Sequence, residues 1–358
     1  MSNVIQLNAR RTSGRALPGP AAMVASFAGQ RRFGDDVFWL KENAELLNIL
    51  ECTGESLDTE ALAPHLGFYE QIEQRLEFFP QYYRFLLSLC LDLEDLGMEG
   101  AKGEALAHWI ARQGLPEAEL SDLQRAEARR LLRRRGAVPM SGDDDLTERL
   151  HRFVSRSETF ALPNKKAAYE LTHIVFYLSE YGRKNPELPE QALISLEYSG
   201  ILAYLEQNAD LLAEICVALR YAGATPSPIW ENWILRMARS FSAGNFQGAH
   251  LQDDYHEYLV CGWAARAAGA QAFHDPVGAG AVSFLAHPAP GGPLREISEC
   301  IFLMGNRRSN DWGVMSAHVR SALGQSGHDI LSAAEASSPH FESFFAGFAR
   351  AVCMQVAV

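Results

Sequence analysis

Long apolar runs are missing from this chain. The best stretch, Phe85 to Leu93, is interrupted by Ser88 and Asp92, well short of the roughly 20 residues that a membrane-crossing helix needs. No membrane span is expected. A surplus of basic charge is missing too, since the net charge is -12 over 358 residues, which argues against general affinity for nucleic acid or anionic lipid. Small molecules or proteins are the expected partners. Cysteine is sparse: Cys52, Cys90, Cys216, Cys261, Cys300 and Cys353 stand singly with no Cys-x-x-Cys. That spacing supports neither a disulfide framework nor a thiolate zinc site, and it fits a reducing cytoplasm.

Familiar catalytic signatures are also missing. There is no Gly-x-Ser-x-Gly elbow and no His-Glu-x-x-His, and Gly278-Ala279-Gly280 and Gly291-Gly292 lack the strand-then-helix setting that a phosphate loop requires. Lys165-Lys166 and Arg307-Arg308 read as solvated surface, and no fixed-period repeat occurs. The first 34 residues contain no Asp or Glu but five arginines, Arg10, Arg11, Arg15, Arg31 and Arg32, around Pro18-Gly19-Pro20. Without the apolar stretch of a secretory signal, this segment reads as a flexible basic tail.

What the chain has instead is helical spacing. Asp35-Asp36 offers a cap for a segment whose apolar residues Val37, Leu40, Ala44, Leu47 and Leu50 share a face, and Thr53-Gly54 ends it. Tyr82 to Leu96 repeats the pattern and stops at Gly97, and an acidic start followed by Arg129 to Arg135 and Gly136 complements another helix's dipole. Helix-end electrostatics explain that arginine run better than a nucleic-acid patch. Residues 137–145, with Pro139, Gly142 and Asp143-Asp144-Asp145, mark a linker. Beyond it lie further helices over 146–156, 163–181, 191–208, 209–222, 227–242 and 249–268. Residues 281–304 are the one place where a small β-hairpin is expected.

Two segments carry the chemistry. Glu170-Leu171-Thr172-His173 and Asp253-Asp254-Tyr255-His256 each place a carboxylate three residues before an imidazole, so both groups of a pair leave one helical face. Two such pairs, joined by single carboxylates from two other helices, build the site of helical di-metal proteins. Glu42 or Glu45 before the first pair and Glu206 or Glu214 after it can complete the order acid, pair, acid, pair. Glu170, His173, Tyr177 and Glu180 extend one polar stripe on an otherwise apolar helix, and His250 sits one turn before Asp253. Spacing alone is weak evidence. Three of the 11 histidines have an acid at minus three, counting Glu148 and His151, where roughly one is expected by chance. A packing role competes, in which Thr172 and His173 tie helices together while Glu170 pairs with an arginine such as Arg220 or Arg236. A metal-free acid/base pair at His173 or His256 is a further alternative.

Tyr169 to Gly182, with Asp36 to Asn43 and Phe78 to Phe85, resembles an uncharacterised bacterial family carrying a domain of unknown function, over nearly the whole chain. A shorter likeness, Thr-His followed by Phe-Tyr and later by Tyr255-His256, is similar to other helical proteins of no assigned activity. It implies that His173 and His256 belong together. It implies no activity.

The fold expected is all-α, mainly antiparallel helical hairpins or a bundle, with a tail over 1–34, a helical region over 35–136, the linker 137–145 and a C-terminal helical domain over 146–358. The function expected is that of a cytoplasmic metal-dependent enzyme, an oxidoreductase in the finest form of the reading. Glu170, His173, Asp253 and His256 are its expected ligands, with Glu180 as a further one and Tyr177 as catalytic donor beside them. Iron, manganese or zinc suits that mixed oxygen and nitrogen set. The rival is a non-enzymatic helical binding or scaffold protein with a buried polar cluster.

Overall fold

The computed structural model describes residues 19–32, 36–138, 145–244, 253–273, 280–287 and 291–351. Among the described residues the architecture is all-α apart from one short two-stranded ladder. The first half contains α1 (Gly19–Gly29), α2 (Val37–Cys52), α3 (Thr59–Leu62), α4 (Leu66–Glu70), α5 (Ile72–Phe78), α6 (Tyr83–Asp95), α7 (Lys102–Arg112) and α8 (Asp122–Arg133). Then follow α9 (Leu146–Val154), α10 (Ser157–Phe160), α11 (Lys165–Leu178), α12 (Glu190–Glu206), α13 (Ala209–Tyr221), α14 (Pro228–Ser240) and α15 (Tyr255–Ala267). The chain closes with α16 (Leu294–Met304), α17 (Trp312–Ser321), α18 (Gln325–Ser337) and α19 (Phe341–Ala349). None of the described helices is long and apolar enough to cross a membrane.

Local chemistry sets the helix limits. The Asp36 carboxylate caps α2 by accepting from the amides of Phe38 and Trp39, and Gly97 ends α6 with a φ of 115° that residues with a Cβ rarely adopt. At the centre is α13, whose residues Leu211 to Leu219 are all buried. A helix that is apolar on every side can only be interior. It packs against α15, α12, α11 and α14, while α2 lies between α6, α1 and α15. A single hydrophobic cluster runs from Ala22 to Ala349, so the expected boundary at 137–145 does not separate two cores. Residues 139–144 of that linker lie outside the described residues.

Two expectations need correction. The basic tail is not a tail from residue 19 onward, because α1 buries Met23, Val24 and Phe27 completely and packs on α2. Its arginine is neutralised rather than solvated: Arg31, 1% exposed, donates to Glu42 at 3.0 Å and to both oxygens of Asp253 at 2.7 and 2.9 Å. Residues 1–18 lie outside the described residues. The β-hairpin expected within 281–304 is only half there. Strand β2 (Ser283–Leu285) pairs antiparallel with β1 (Ser242–Gly244), Ala243 opposite Phe284, whereas 294–304 is helical because Leu294, Ile297 and Ile301 form one buried face.

Candidate functional site

Four helices converge on one polar cluster inside this apolar frame. Glu45 comes from α2, Tyr169, Thr172 and His173 from α11, Asp210 and Glu214 from α13, and Tyr255 and His256 from α15. Asp210, Glu214 and His256 bring potential ligand atoms within 4.8 Å of one another. His256 is the hub. Its Nδ1 lies 2.5 Å from Asp210 Oδ2, and its Nε2 stands 4.0 Å from Glu45 Oε1 and 4.0 Å from Glu214 Oε1. A carboxylate only accepts, so Nδ1 carries hydrogen toward Asp210 and Nε2 faces the two glutamates.

Each of those glutamates is held by its other oxygen. The Thr172 hydroxyl donates to Glu214 Oε2 at 2.6 Å, and the Tyr255 hydroxyl donates to Glu45 Oε2 at 2.7 Å. Both Oε1 atoms face His256 Nε2, and that of Glu45 also lies 3.6 Å from Lys41 Nζ. Asp210 is satisfied on both sides, by His256 and by the Tyr169 hydroxyl at 2.7 Å; we read it as the group that orients the imidazole, although its distances also admit a ligand. His173 Nδ1 donates to the Tyr169 carbonyl at 2.7 Å and lies 3.6 Å from Glu214 Oε2, and its Nε2 has no hydrogen-bond partner among the described residues.

Charge is badly balanced here. Glu214 is 2% exposed, and burial raises its pKa above the ordinary carboxylate value. Burial opposes charge on His256 as well, but its hydrogen bond to Asp210 and the fields of Glu45, Asp210 and Glu214 prevail, holding the imidazole up to about 9. Burial likewise works against the Asp210 carboxylate, yet its contact with His256 keeps it below its usual value. Nearby Glu257, half-buried beside Asp210 and Asp254, is pushed up to about 7 by that burial and those charges. Among the described residues, three carboxylates thus share one imidazolium and the ammonium of Lys41, which is 3.6 Å from Glu45 and half exposed. The cluster is short of positive charge.

The cluster opens on a cavity of about 250 Å³ bordered by Glu45, His173, Glu214 and His256 at one side. Phe85, Phe176, Tyr177, Tyr181 and Trp263 supply an aromatic wall, with Tyr181 stacked on Trp263 at 5.7 Å. Asn48, one turn beyond Glu45 on α2, also faces it, and its Nδ2 is buried with no hydrogen-bond partner among the described residues. One end can hold a cation. The rest suits a small organic molecule with an unsaturated or apolar body.

The structure brings together only some of the residues expected from sequence. His173 and His256 meet around Glu214, and Tyr177 borders the same cavity with its ring 6.0 Å from that of His173. Glu170 does not join them: it is partly exposed and lies 3.9 Å from Lys166, not beside an arginine. Asp253 is committed elsewhere, gripped by Arg31 and accepting from the amide of Phe284 at 2.8 Å. Glu180 is not on the helix at all. α11 ends in a Schellman turn, Tyr181 N to Phe176 O at 2.8 Å with Glu180 at φ 50°, and Glu180 pairs with Lys184 at 2.6 Å. Of the supporting acids, Glu45 and Glu214 are in the cluster, while Glu42 serves Arg31 and Glu206 pairs with Lys165 at 3.0 Å. His250 lies outside the described residues. Asp210 was missed; its signal is an acid one turn before Glu214 on a helix otherwise apolar in its interior.

The chain belongs to the family described as Domain of unknown function (DUF6902), whose model matches residues 1–351. No curated protein and no solved structure matches it.

Proposed function

We propose that this chain is a metal-dependent enzyme that holds one divalent ion beside His256 and Glu214, which with Asp210 bring ligand atoms within 4.8 Å of one another, with Glu45 and His173 as further ligands, and that it acts on a small molecule in the adjoining cavity. One observation carries the reading: each candidate ligand has its second polar atom tied by a separate partner. Asp210 holds His256, Thr172 holds Glu214, Tyr255 holds Glu45 and the Tyr169 carbonyl holds His173. Outer partners of this kind fix the orientation of metal ligands in known sites. A divalent ion would also correct the negative excess that otherwise falls on a proton at His256.

Two imidazoles with two carboxylates suit iron, manganese or zinc, and with iron an oxidation is the reaction class that fits. The bound ion would supply Lewis acidity or redox chemistry, the aromatic wall would exclude water, and Lys41 at the rim would compensate charge on Glu45. Five described cysteines are unpaired, which agrees with work in a reducing cytoplasm. The rival is a metal-free proton-transfer site at the His256–Asp210 pair, favoured by its 2.5 Å contact.

Elemental analysis of protein purified without chelator separates the two. About one ion per chain is expected on this reading, lost in both His256→Ala and Glu214→Gln because an incomplete ligand set binds poorly. Folded protein that carries no metal and takes up none of iron, manganese or zinc would leave the acid/base reading.

A further inference from the structure

The cavity beside the metal cluster has a second side that the cluster does not use. Its lining residues come from a ring of six helices, in which α2 packs on α6, α6 on α8, α8 on α11, α11 on α13, α13 on α15 and α15 on α2. Glu45, His173, Glu214 and His256 stand on α2, α11, α13 and α15, so α6 and α8 contribute no candidate ligand. In that order α6 lies opposite α13, and α8 lies opposite α15. A molecule in the cavity meets the cluster on one side and Arg84, Ser88 and Glu127 on the other.

That opposite wall is acidic. Two carboxylates share the Arg84 guanidinium: Glu119 accepts from its Nε at 2.8 Å, and Glu127 Oε2 accepts from its Nη1. One negative charge is left over. Glu127 Oε1 has no hydrogen-bond partner among the described residues yet is not sealed in the interior, and the side chain is 22% exposed and borders the cavity. At the neighbouring Tyr177 phenol, burial first and then the charge of Glu127 hold the pKa well above its ordinary value, against Arg130 and Arg84. The field of Glu127 therefore reaches the cavity wall. Arg130 itself lies over the Tyr181 ring at 4.2 Å and is not among the residues that border the cavity. The neutral groups on this side are acceptors too. Ser88 gives its proton to Asp92 Oδ2 at 3.1 Å, which leaves the lone pairs of its oxygen. Asn48, on α2 between the two sides, is 8% exposed and its Nδ2 is sealed in, so the carbonyl oxygen is what the amide offers the cavity. A carboxylate oxygen, a hydroxyl oxygen and an amide oxygen suit a group with several donors and no acceptor, and an ammonium is such a group.

We infer that the substrate of the proposed enzyme is an organic amine, bound as its ammonium ion with the nitrogen at Glu127 Oε1 and with an apolar or aromatic body along Phe85, Phe176 and Trp263 toward the cluster. That the amine is a substrate depends on the metal site proposed above; that it binds depends only on the wall formed by α2, α6 and α8. Anions are rejected there. Arg84 is already shared by two carboxylates, and Lys41 faces Glu45 at 3.6 Å, so a carboxylate ligand would meet Glu127 with no cation released to receive it. A neutral alcohol would satisfy an acceptor and leave the surplus charge uncompensated.

The test uses the full chain at pH 7, once with manganese added and once in EDTA, titrated calorimetrically with benzylamine, benzyl alcohol and benzoate, which share a ring and differ in charge. In EDTA, benzylamine should bind saturably and about tenfold or more tighter than the alcohol, because its hydrogen bonds are charge-assisted, and benzoate should not bind. Glu127→Gln keeps an acceptor but removes the charge, so benzylamine affinity should fall about tenfold while that of benzyl alcohol stays nearly unchanged. Manganese stoichiometry should also be unchanged, since Glu127 is no ligand. Should this variant fail to fold because Arg84 loses a partner, Asn48→Leu, which breaks no described hydrogen bond, should weaken benzylamine binding about threefold. Amine preference in EDTA with no manganese bound would uphold the amine site and sink the metal reading. Manganese bound without amine preference, a preference for the alcohol or benzoate in EDTA, or equal amine binding in the folded variants overturns the inference.

Discussion

If His256 Nε2 ligates a metal, the ion must displace a proton that the apo site holds tightly, and the affinity should record it. Burial disfavours the imidazolium, but Asp210, Glu45 and Glu214 hold its pKa at about 9 against an ordinary 6.5. At pH 7, two units lower, only about 1% of the apo protein offers a bare Nε2, so affinity sits about 100-fold below its high-pH limit, about 2.7 kcal/mol. The dissociation constant should therefore fall about tenfold per pH unit from 6 to 8.5 and level off above about 9. Manganese is the practical probe, titrated calorimetrically in buffers of different ionisation enthalpy, and close to one proton per ion should be released at pH 7. Asp210→Asn keeps an acceptor for Nδ1 but removes the charge, so the break should move down toward 6.5. A wild-type profile that is flat between pH 6 and 9, or that breaks at 6.5, would show that the ion displaces no strongly held proton from His256. The same proton is linked to folding. Because the folded pKa is the higher one, the contribution of His256 to apo stability is fully present below pH 6.5 and is lost as pH rises through about 9. With the side chain 32% exposed, solvent screening reduces that contribution to roughly 1–2 kcal/mol, readable as a falling Tm in EDTA.

Other substitutions separate ligands from scaffold. Thr172→Val frees Glu214 Oε2 and should weaken metal binding by about 10- to 100-fold without changing its stoichiometry, because the group orienting a ligand is lost and the ligand is not; equilibrium dialysis decides it. Asp253→Ala strips Arg31 of two of its bonds in the interior and should cost about 3–5 kcal/mol in urea unfolding while the folded fraction still binds metal. Loss of metal with stability unchanged would restore Asp253 as a ligand. In Gly262→Ala the new Cβ would stand 2.4 Å from Phe273 Cε1. Overpacking of about 1–3 kcal/mol should outweigh the roughly 1 kcal/mol of helix propensity that alanine offers, so thermal melting should show net destabilisation.

Much of the fold is written locally. The buried faces of α2 and α6, the cap at Asp36 and the stop at Gly97 each depend on residues a few positions apart, and the sequence displays them. α1 is written non-locally. Arg31 and Arg32 mark a solvated tail until Asp253 is known to bond Arg31 across 222 positions of chain, a relation that no window of sequence contains. Strand β2 fails for the same reason: its partner Ser242–Gly244 lies some forty residues upstream, not in the neighbouring segment that a hairpin would use.

The site shows where a spacing argument misleads. Residues three apart share a helical face, so Glu170 with His173 and Asp253 with His256 look like ligand pairs. Yet Lys166 pairs with Glu170, and Asp253 precedes the Asp254 cap of α15, outside the helix, where Arg31 binds it. The informative neighbours are adjacent ones. Successive residues on a helix diverge by about 100°, so in Thr172-His173 and Tyr255-His256 the hydroxyl and the imidazole point to different neighbours. Thr172 reaches Glu214 on α13, and Tyr255 reaches Glu45 on α2. Each hydroxyl aims a carboxylate of another helix, while the imidazole beside it faces the cavity that those carboxylates share. This arrangement gives the Thr-His and Tyr-His dipeptides a physical role: each hydroxyl ties one oxygen of a glutamate and leaves the other toward His256, with Lys41 also 3.6 Å from that oxygen in Glu45.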